Sequence, residues 1–503
     1  MTGSRRTTAL FFAALFAVMF ALRLCHSHIL WADEDYHMAA GLETLHGKML
    51  YRDLWYDKPP LAAWLYAALG ALPGWPLRLF DAVWLLAICA ATWRFAGDLW
   101  GRREAFLAAA LVAFFLNFDF PSAVIPAAPD LLLLLPHIAA VHCAWKRRPF
   151  WSGLCCGIGF LFHTKAVFVL AVCAVVAWPA LPLLLVGFLI PNGAAFAVLA
   201  AAGALPDYLL QVWRWGFAYA GSSSEPQPVL NALRRVLDWS GFHAALVLGA
   251  LAWFFSGTDD RLSSSVAEGL QPANSHEWVK RRLKGGGSQD WLPHFAAWAA
   301  IGFLGVALGG RFFPRYFFLI LPPLVLVSAR AIAQRKAVAV IAAVALLVPL
   351  VRFAPRYFTL AFQPAAPWTD IALDQDSQAA AALVNARKQP GDTLFVWGYR
   401  PGLFVYTRLP AASRYGDSQP LTGVPADRHL RDAVSLIPDW AARNRVELAA
   451  THPAFMVDSL SLANPRLALD TYPELRAWLA GYTIMARTRL SLIYQRLIYR
   501  SLP

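Results

Sequence analysis

Side chains that could carry out chemistry are concentrated in one short stretch, DEDYHMAAGLETLHGKMLYRDLWYDKPPL at residues 33–61. It contains the adjacent carboxylates Asp33 and Glu34 and, farther along, the pair Asp57 and Lys58. A carboxylate can take a proton from a hydroxyl nucleophile, and a lysine ammonium can bind a phosphate. These residue types therefore suit a reaction in which a hydroxyl group attacks a substrate that carries a phosphate.

Three other segments add charges of the same kinds. Asp130 follows a proline, Lys165 lies between two short apolar runs, and Arg311 and Arg315 belong to the sequence GRFFPRYF. Asp130 offers a further carboxylate, and the arginines could each bind two phosphate oxygens at once. These charges can act together only if the fold brings the four segments to one place.

The composition is typical of a protein that crosses a membrane many times. Hydrophobic residues make up 58% of the 503 residues and charged residues only 15%, and the mean hydropathy is +0.47. The net charge of +13 comes from short basic clusters between apolar runs, which favours membrane orientation over nucleic-acid binding. The six cysteines show neither C-x-x-C nor Cys/His ligand spacing, so we predict no disulfide framework and no structural zinc site.

The basic clusters should stay in the cytoplasm, and this rule orders the apolar runs. With Arg5 and Arg6 inside, we predict about eleven transmembrane helices. They cover residues 8–25, 77–97, 104–118, 130–145, 151–164, 167–181, 183–202, 241–255, 293–309, 314–329 and 337–353. Residues 26–60 would form a loop, 61–72 a membrane-surface stretch, 206–240 an outer segment with an interfacial helix, and 256–290 a cytoplasmic loop. All four charged segments then open on the extracytoplasmic side.

An odd number of spans places the two ends of the chain on opposite sides of the membrane. We therefore predict a transmembrane domain with extracytoplasmic catalytic loops at 1–353 and a soluble extracytoplasmic α/β domain at 354–503. In the second domain SQAAAALVNARKQ is predicted to be a helix, and TLFVWG and AFMVDSL are predicted to be strands. The expected location is a bacterial-type inner (cytoplasmic) membrane.

At these charged residues the sequence resembles the integral-membrane glycosyltransferases of the C superfamily, which have the GT-C fold. The resemblance is strongest to family 39, which contains protein O-mannosyltransferases and the lipid A aminoarabinose transferase. The motifs that carry it are D-E at 33–34, Y-R-D at 51–53, D-K-P-P-L at 57–61, P-D at 129–130, G-x-G-F-L-F-H-T-K at 157–165 and G-R-F-F-P-R-Y-F at 310–317. Each motif is short, but their order and shared side are fairly specific.

The resemblance implies an inverting transfer of a sugar from a polyprenyl-phosphate donor to an acceptor hydroxyl on a protein, lipid or glycan. Asp33 would be the general base, Glu34 would support or orient it, and Asp130 would help to hold the acceptor or the active-site loop. Lys58 and Lys165 would neutralise the charge that grows on the leaving phosphate. Membrane lipid is an expected partner and nucleic acid is not.

Arg311 or Arg315 would share that phosphate-binding role, together with Tyr316. Many relatives have His-Tyr where this chain has Arg315 and Tyr316. The metal requirement stays open, because the aminoarabinose transferases have a metal site and the mannosyltransferases work without one. A possible divalent metal ion would be bound by Asp57 and His163, although His163 is more simply explained as a polar residue near a helix end.

Structural explanations compete with these roles. Asp33 and Glu34 could cap a helix, Asp130 could cap the run that follows it, and Lys58 and Lys165 could reach toward the membrane interface. Two other functions also remain open. A transporter or flippase of a lipid-linked anionic substrate would use the same cations, but it predicts repeated halves with broken helices, which the sequence does not clearly show. A binding protein with a membrane anchor would need one span rather than about eleven.

Overall fold

The computed structural model describes residues 2–222, 227–255, 292–363 and 368–497. Helices occupy every predicted span, although several ends differ from the prediction. The described helices of eight or more residues in the first 363 residues are α1 (Thr2–Leu24), α2 (Ala32–Leu45), α3 (Leu61–Ala68), α4 (Trp75–Leu99), α5 (Arg102–Phe115), α6 (Pro129–Trp145), α7 (Pro149–Phe162), α8 (Ala166–Val176), α9 (Leu181–Ala201), α10 (Pro228–Phe242), α11 (Ala244–Phe255), α12 (Leu292–Ala307), α13 (Leu321–Gln334) and α14 (Lys336–Phe362).

Within the described residues, four helical segments are long and apolar enough to cross a membrane: Arg5–Leu24, Trp75–Leu99, Trp178–Ala201 and Lys336–Phe362. Helices α10 and α11 would make a fifth, but they meet at an angle of 87°. Five other apolar helices are shorter, α6, α7, α8, α12 and α13. The chain is therefore a multi-pass membrane protein in which long helices are combined with short ones.

Three predicted boundaries need correction. The predicted loop at 26–60 contains helix α2, because Asp33, Glu34 and Asp35 stabilise a helix N-terminus and the Glu34 carboxylate accepts a hydrogen bond from the Trp31 N–H. The predicted span at 314–329 begins as a 3₁₀ turn, Pro314–Leu319, and continues as α13. The predicted span ending at 353 continues through Pro355 to Phe362, past the expected domain boundary.

Close backbone contacts bring α2 and α7 into place. Gly41 lies against α3, where an added Cβ would come within 2.7 Å of the Ala67 nitrogen. Gly153 of α7 lies so close to the Leu184 carbonyl of α9 that there is no room for a side chain. Small residues allow helices to approach in this way, so these contacts fix α2, which carries Asp33, and α7, which leads into Lys165.

The described residues 368–497 form a C-terminal domain with a small sheet. Its elements are α15 (Thr369–Asn385), β1 (Leu394–Trp397), α16 (Gly402–Thr407), α17 (Pro438–Ala449), β2 (Phe455–Asp458), α18 (Pro473–Leu479), β3 (Tyr482–Arg487) and β4 (Leu492–Arg496). The strand order is β1-β2-β4-β3, with β1 and β2 parallel and the other pairs antiparallel. The predicted helix and both predicted strands are present.

The C-terminal domain packs directly on α2. One cluster of buried apolar side chains joins Met38 and Leu42 of α2 to Val396 and Leu403 of the C-terminal domain. Polar contacts reinforce this packing, since the Gly402 N–H donates to Asp35 at 3.1 Å. The domain therefore lies beside the helix that carries Asp33.

Candidate active site

The first turn of α2 directs its two leading carboxylates to different surroundings. The Asp33 side chain is 33% exposed and forms an ion pair with Arg315, which lies in the 3₁₀ turn before α13. Glu34 is fully buried and forms its ion pair with Arg78 of α4. Only Asp33 is accessible to a substrate.

Glu34 belongs to a closed network of hydrogen bonds. Its two oxygens accept from Arg78 at 2.6 and 2.8 Å, and one also accepts from the Ala127 N–H at 2.9 Å. Arg78 also donates to Asp81 at 2.7 Å and to the Ile29 carbonyl at 2.9 Å. This network joins α2, α4 and the segment before α6, so Glu34 orients the helix that carries Asp33.

Sequence reasoning missed Arg78. A signal was present, because an arginine in the apolar run of α4 with Asp81 three residues later suggests a buried pair on one helix face. The partner Glu34 was recognised, but nothing in the sequence joined it to Arg78. The structure thus adds one residue to the set that holds the site together.

Lys165 is a buried lysine that interacts electrostatically with Arg315 and Asp130. It follows α7, is only 8% exposed, and its ammonium group lies over the ring of Tyr316. Among the described residues its Nζ has no hydrogen-bond partner. A buried ammonium without such a partner is costly, so this position is suited to an anion that would provide the missing acceptors.

Asp130 and His163 complete the group around Lys165. Asp130 is in the first turn of α6, and its Oδ1 lies 3.5 Å from His163 Nε2. The other His163 nitrogen, Nδ1, accepts the Lys165 N–H at 3.1 Å. We call Asp33, Asp130, Lys165, Arg315 and Tyr316 the charged cluster: Asp33 pairs with Arg315, Lys165 lies over Tyr316, and Asp130 interacts electrostatically with Lys165 and Arg315.

Lys58 lies at the margin of the charged cluster, and its charge is already matched. Its Nζ donates to Asp57 at 3.0 Å, and Asp57 also accepts the Trp215 indole N–H at 3.2 Å. The Lys58 side chain is more than a third exposed. Lys58 can therefore reach an anion at the surface of the cluster only by sharing or leaving Asp57.

Arg311 is buried, and its hydrogen-bond partners do not include Asp33. Its Nε donates to Asp427 of the C-terminal domain at 3.0 Å, and its Nη1 donates to the Tyr219 carbonyl at 3.1 Å. The guanidinium lies 3.6 Å from the centre of the Tyr219 ring. Of the two predicted arginines, Arg315 is the one that contacts the predicted base.

The proposed metal ligands have separate partners. Asp57 is bonded to Lys58 and Trp215, whereas His163 contacts Asp130 and the Lys165 N–H. In the part of the chain that the structure describes, no group of three or more His, Cys, Asp or Glu side chains is arranged to hold a metal ion. Asp57 and His163, as they are placed here, do not fit a metal site.

The C-terminal domain contributes two site neighbours that the sequence did not indicate. Tyr399 stacks on Tyr36 with ring centres 5.8 Å apart, next to the stack of Tyr36 on Tyr56 at 5.3 Å. Asp417 is buried, and its burial, reinforced by the charge of Asp57, raises its pKa to about 7. Both lie more than three hundred residues from α2 in sequence, so only the fold could bring them there.

Comparison with known proteins finds one matching family model and similar solved structures. Residues 57–205 match the family model described as dolichyl-phosphate-mannose-protein mannosyltransferase. The structure of ArnT from Cupriavidus metallidurans bound to undecaprenyl phosphate aligns over 99% of both chains, with 14% identity and a TM-score of 0.59. The same protein in the apo state aligns over 98% of both chains, with 14% identity and a TM-score of 0.56. No curated protein sequence matches the chain.

The structural alignment covers the membrane helices and the C-terminal sheet domain alike. It confirms the predicted GT-C fold. The family match adds the stretch that begins at the D-K-P-P-L motif and includes P-D and Lys165. The match of residues 57–205 to this family model agrees with the predicted resemblance to family 39 of the C superfamily.

Proposed function

We propose that the chain transfers a sugar from a polyprenyl-phosphate donor to an acceptor hydroxyl, with inversion at the anomeric carbon. The active site would open on the extracytoplasmic side of a bacterial-type inner membrane. The charged cluster carries this proposal, because it joins an accessible carboxylate, Asp33, to two buried or half-buried cations, Lys165 and Arg315. The family match and the structure of ArnT bound to undecaprenyl phosphate support a lipid-phosphate donor.

Each group in the charged cluster has a role in the proposed reaction. Asp33 accepts the proton of the acceptor hydroxyl while the hydroxyl oxygen attacks the anomeric carbon. The bond between that carbon and the phosphate oxygen breaks, and the lipid phosphate leaves with the bonding electrons. Lys165 and Arg315 stabilise the negative charge that grows on the phosphate, and this stabilisation favours the transition state over the bound substrate.

The pairing of Asp33 with Arg315 implies that the donor must bind before the acceptor is activated. While the Arg315 guanidinium holds the carboxylate, an acceptor hydroxyl must compete with it for contact with Asp33. A donor phosphate would compete for Arg315 and release Asp33. Donor binding therefore prepares the base, and the acceptor is activated only when the sugar is in place.

The remaining predicted residues act around this centre. Glu34 holds α2 through Arg78, and Asp130 balances the charge beside Lys165 and can help to hold the acceptor. Lys58 and Arg311 add positive charge at the margin. Tyr316 covers the Lys165 ammonium and would help to place the phosphate.

A transfer assay tests the proposal. The purified protein is placed in vesicles with a panel of undecaprenyl-phosphate sugars and a membrane extract as the acceptor source, and release of undecaprenyl phosphate is measured. Asp33→Asn should lower the rate by about 10²- to 10⁴-fold, the usual contribution of a general base. The matched control is Asp53→Asn in the same segment, where the carboxylate pairs with the adjacent, exposed Arg52. No release by the wild-type protein, or equal rates for the two variants, would contradict the proposal.

A further inference from the structure

Arg311 is a point where the membrane helices meet the C-terminal domain. Two of its three side-chain nitrogens are engaged, Nε by Asp427 and Nη1 by the Tyr219 carbonyl. The third, Nη2, is buried and has no hydrogen-bond partner among the described residues. Arg311 is thus held firmly from one side while it keeps one charged N–H group available.

The backbone around Arg311 needs such support. Gly309, Gly310 and Phe312 all have positive φ angles, of 79°, 66° and 46°. For a residue with a bulky side chain, this left-handed region costs about 1–3 kcal/mol, and it persists only where the surroundings impose it. The strained loop 309–313 leads directly into the 3₁₀ turn that carries Arg315 and Tyr316. The contacts that hold Arg311 in place therefore also help to set the position of Arg315 in the charged cluster.

Asp427 is itself rigidly placed. It lies in the 3₁₀ turn Ala426–Arg428, where the Ala426 N–H donates to the Gln419 side chain at 2.9 Å. The next residue, Arg428, donates to the Ser222 hydroxyl at 3.1 Å and attaches the same turn to the segment that follows Tyr219. Asp427 can therefore act as a fixed support for the Arg311 guanidinium.

We infer that Asp427 is a positioning residue for the lipid phosphate of the donor, which it orients through Arg311 across the boundary between the two parts of the chain. The inference rests on the proposed function. Asp427 holds Nε, so the free Nη2 can bind a phosphate oxygen without loss of the Asp427 contact. The C-terminal domain thus contributes to donor binding as well as to the surroundings of Asp33.

If Asp427 has a different role, its removal should change phosphate binding in the opposite direction. If Asp427 only neutralised Arg311, it would compete with the donor phosphate, and its removal would tighten phosphate binding. If Asp427 orients Arg311, its removal lets the guanidinium turn and the strained loop relax, and binding weakens. The sign of the change separates the two.

The test measures binding of undecaprenyl phosphate to the full-length protein in lipid nanodiscs. We expect Asp427→Asn to bind about three- to tenfold more weakly, as the loss of one charge-assisted contact predicts, and Asp427→Glu to lie between it and the wild type. Asp439→Asn is the matched control, since Asp439 is an exposed acid of the same domain in the first turn of α17, and it should bind as the wild type does. Thermal unfolding of each variant shows whether it is folded.

A double variant separates positioning from a general loss of structure. If Asp427 acts through Arg311, Asp427→Asn combined with Arg311→Gln should bind no more weakly than Arg311→Gln alone. Additive losses, or Asp427→Asn and Asp427→Glu binding as tightly as the wild type or tighter, would overturn the inference and leave the proposed function standing. A wild-type protein that does not bind undecaprenyl phosphate would overturn the proposed function and this inference with it.

Discussion

Asp33 and Glu34 are neighbours in sequence but belong to two contrasting regions. Glu34 lies in the buried network with Arg78, where every oxygen and nitrogen of the two side chains has a partner. Asp33 belongs to the charged cluster, where the carboxylate is accessible and Lys165 lacks a hydrogen-bond partner in the described residues. The fully paired charges of Glu34 and Arg78 hold the fold, whereas the Lys165 ammonium without an acceptor marks a place where an anion could bind.

The largest effect expected from this comparison is on the buried network. Arg78→Met would leave Glu34 and Asp81 buried without their cation, and the loss of one partner of a buried pair costs about 3–5 kcal/mol. Thermal and chemical unfolding in detergent would measure it. The matched change in the charged cluster, Asp33→Asn, should cost less than about 1 kcal/mol, because that pair is partly exposed. Equal losses in the two variants would remove the distinction between the regions.

A smaller effect is expected at Lys165, where a substitution should weaken ligand binding without lowering stability. Lys165→Met should weaken undecaprenyl phosphate binding by about 10- to 100-fold, since a charged contact to the phosphate is lost. It should leave the unfolding temperature unchanged or raise it, because it removes a buried ammonium that has no hydrogen-bond acceptor. If binding and unfolding temperature fell together, Lys165 would be part of the structural network instead.

The smallest effect concerns Asp417, which is buried as Glu34 is but has no arginine hydrogen-bonded to it among the described residues. Burial raises its pKa from the ordinary 3.8 to about 7. The folded protein therefore binds this proton more tightly than the unfolded chain does, and the contribution of Asp417 to stability is lost as the pH rises through about 7. Asp417→Asn removes this titration.

Unfolding temperatures at pH 5 and pH 8 test that expectation. The wild type should lose about 1–2 kcal/mol more stability than Asp417→Asn between these two values. The same pH dependence in both proteins would show that Asp417 is ionised in the folded state. Its surroundings near Asp57 and Lys58 would then be more polar than burial implies.

The sequence indicated the positions of the membrane helices and the members of the charged cluster, because hydropathy and basic clusters order the spans without knowledge of contacts. It indicated α2 only as a helix that Asp33 and Glu34 could cap within a predicted loop, since a helix rich in charge gives no hydropathy signal. It could not distinguish Arg311 from Arg315, because the strained loop and 3₁₀ turn between them follow no regular period. That distinction appeared only with the fold.

Interaction partners that lie far apart in the sequence could not be predicted either. Arg78 meets Glu34 across 44 residues and Arg311 meets Asp427 across 116 residues, and no local pattern encodes either pairing. The particular residues that the C-terminal domain places near the site, Tyr399 and Asp417, were missed for the same reason. A sequence shows which residues are chemically unusual more readily than it shows which partners they contact in the fold.

The most direct test of the central claim is a density map of the protein with undecaprenyl phosphate bound. The account predicts that the phosphate contacts Lys165 and Arg315, and that Arg315 moves away from Asp33. A separate surface hollow of about 550 Å³ is lined by Arg5, Thr8, Ala9, Phe12, Trp93 and Arg102, and its two arginines offer a different place for an anion. A phosphate found there, with the Asp33–Arg315 pair intact and Lys165 still without an acceptor, would contradict the account.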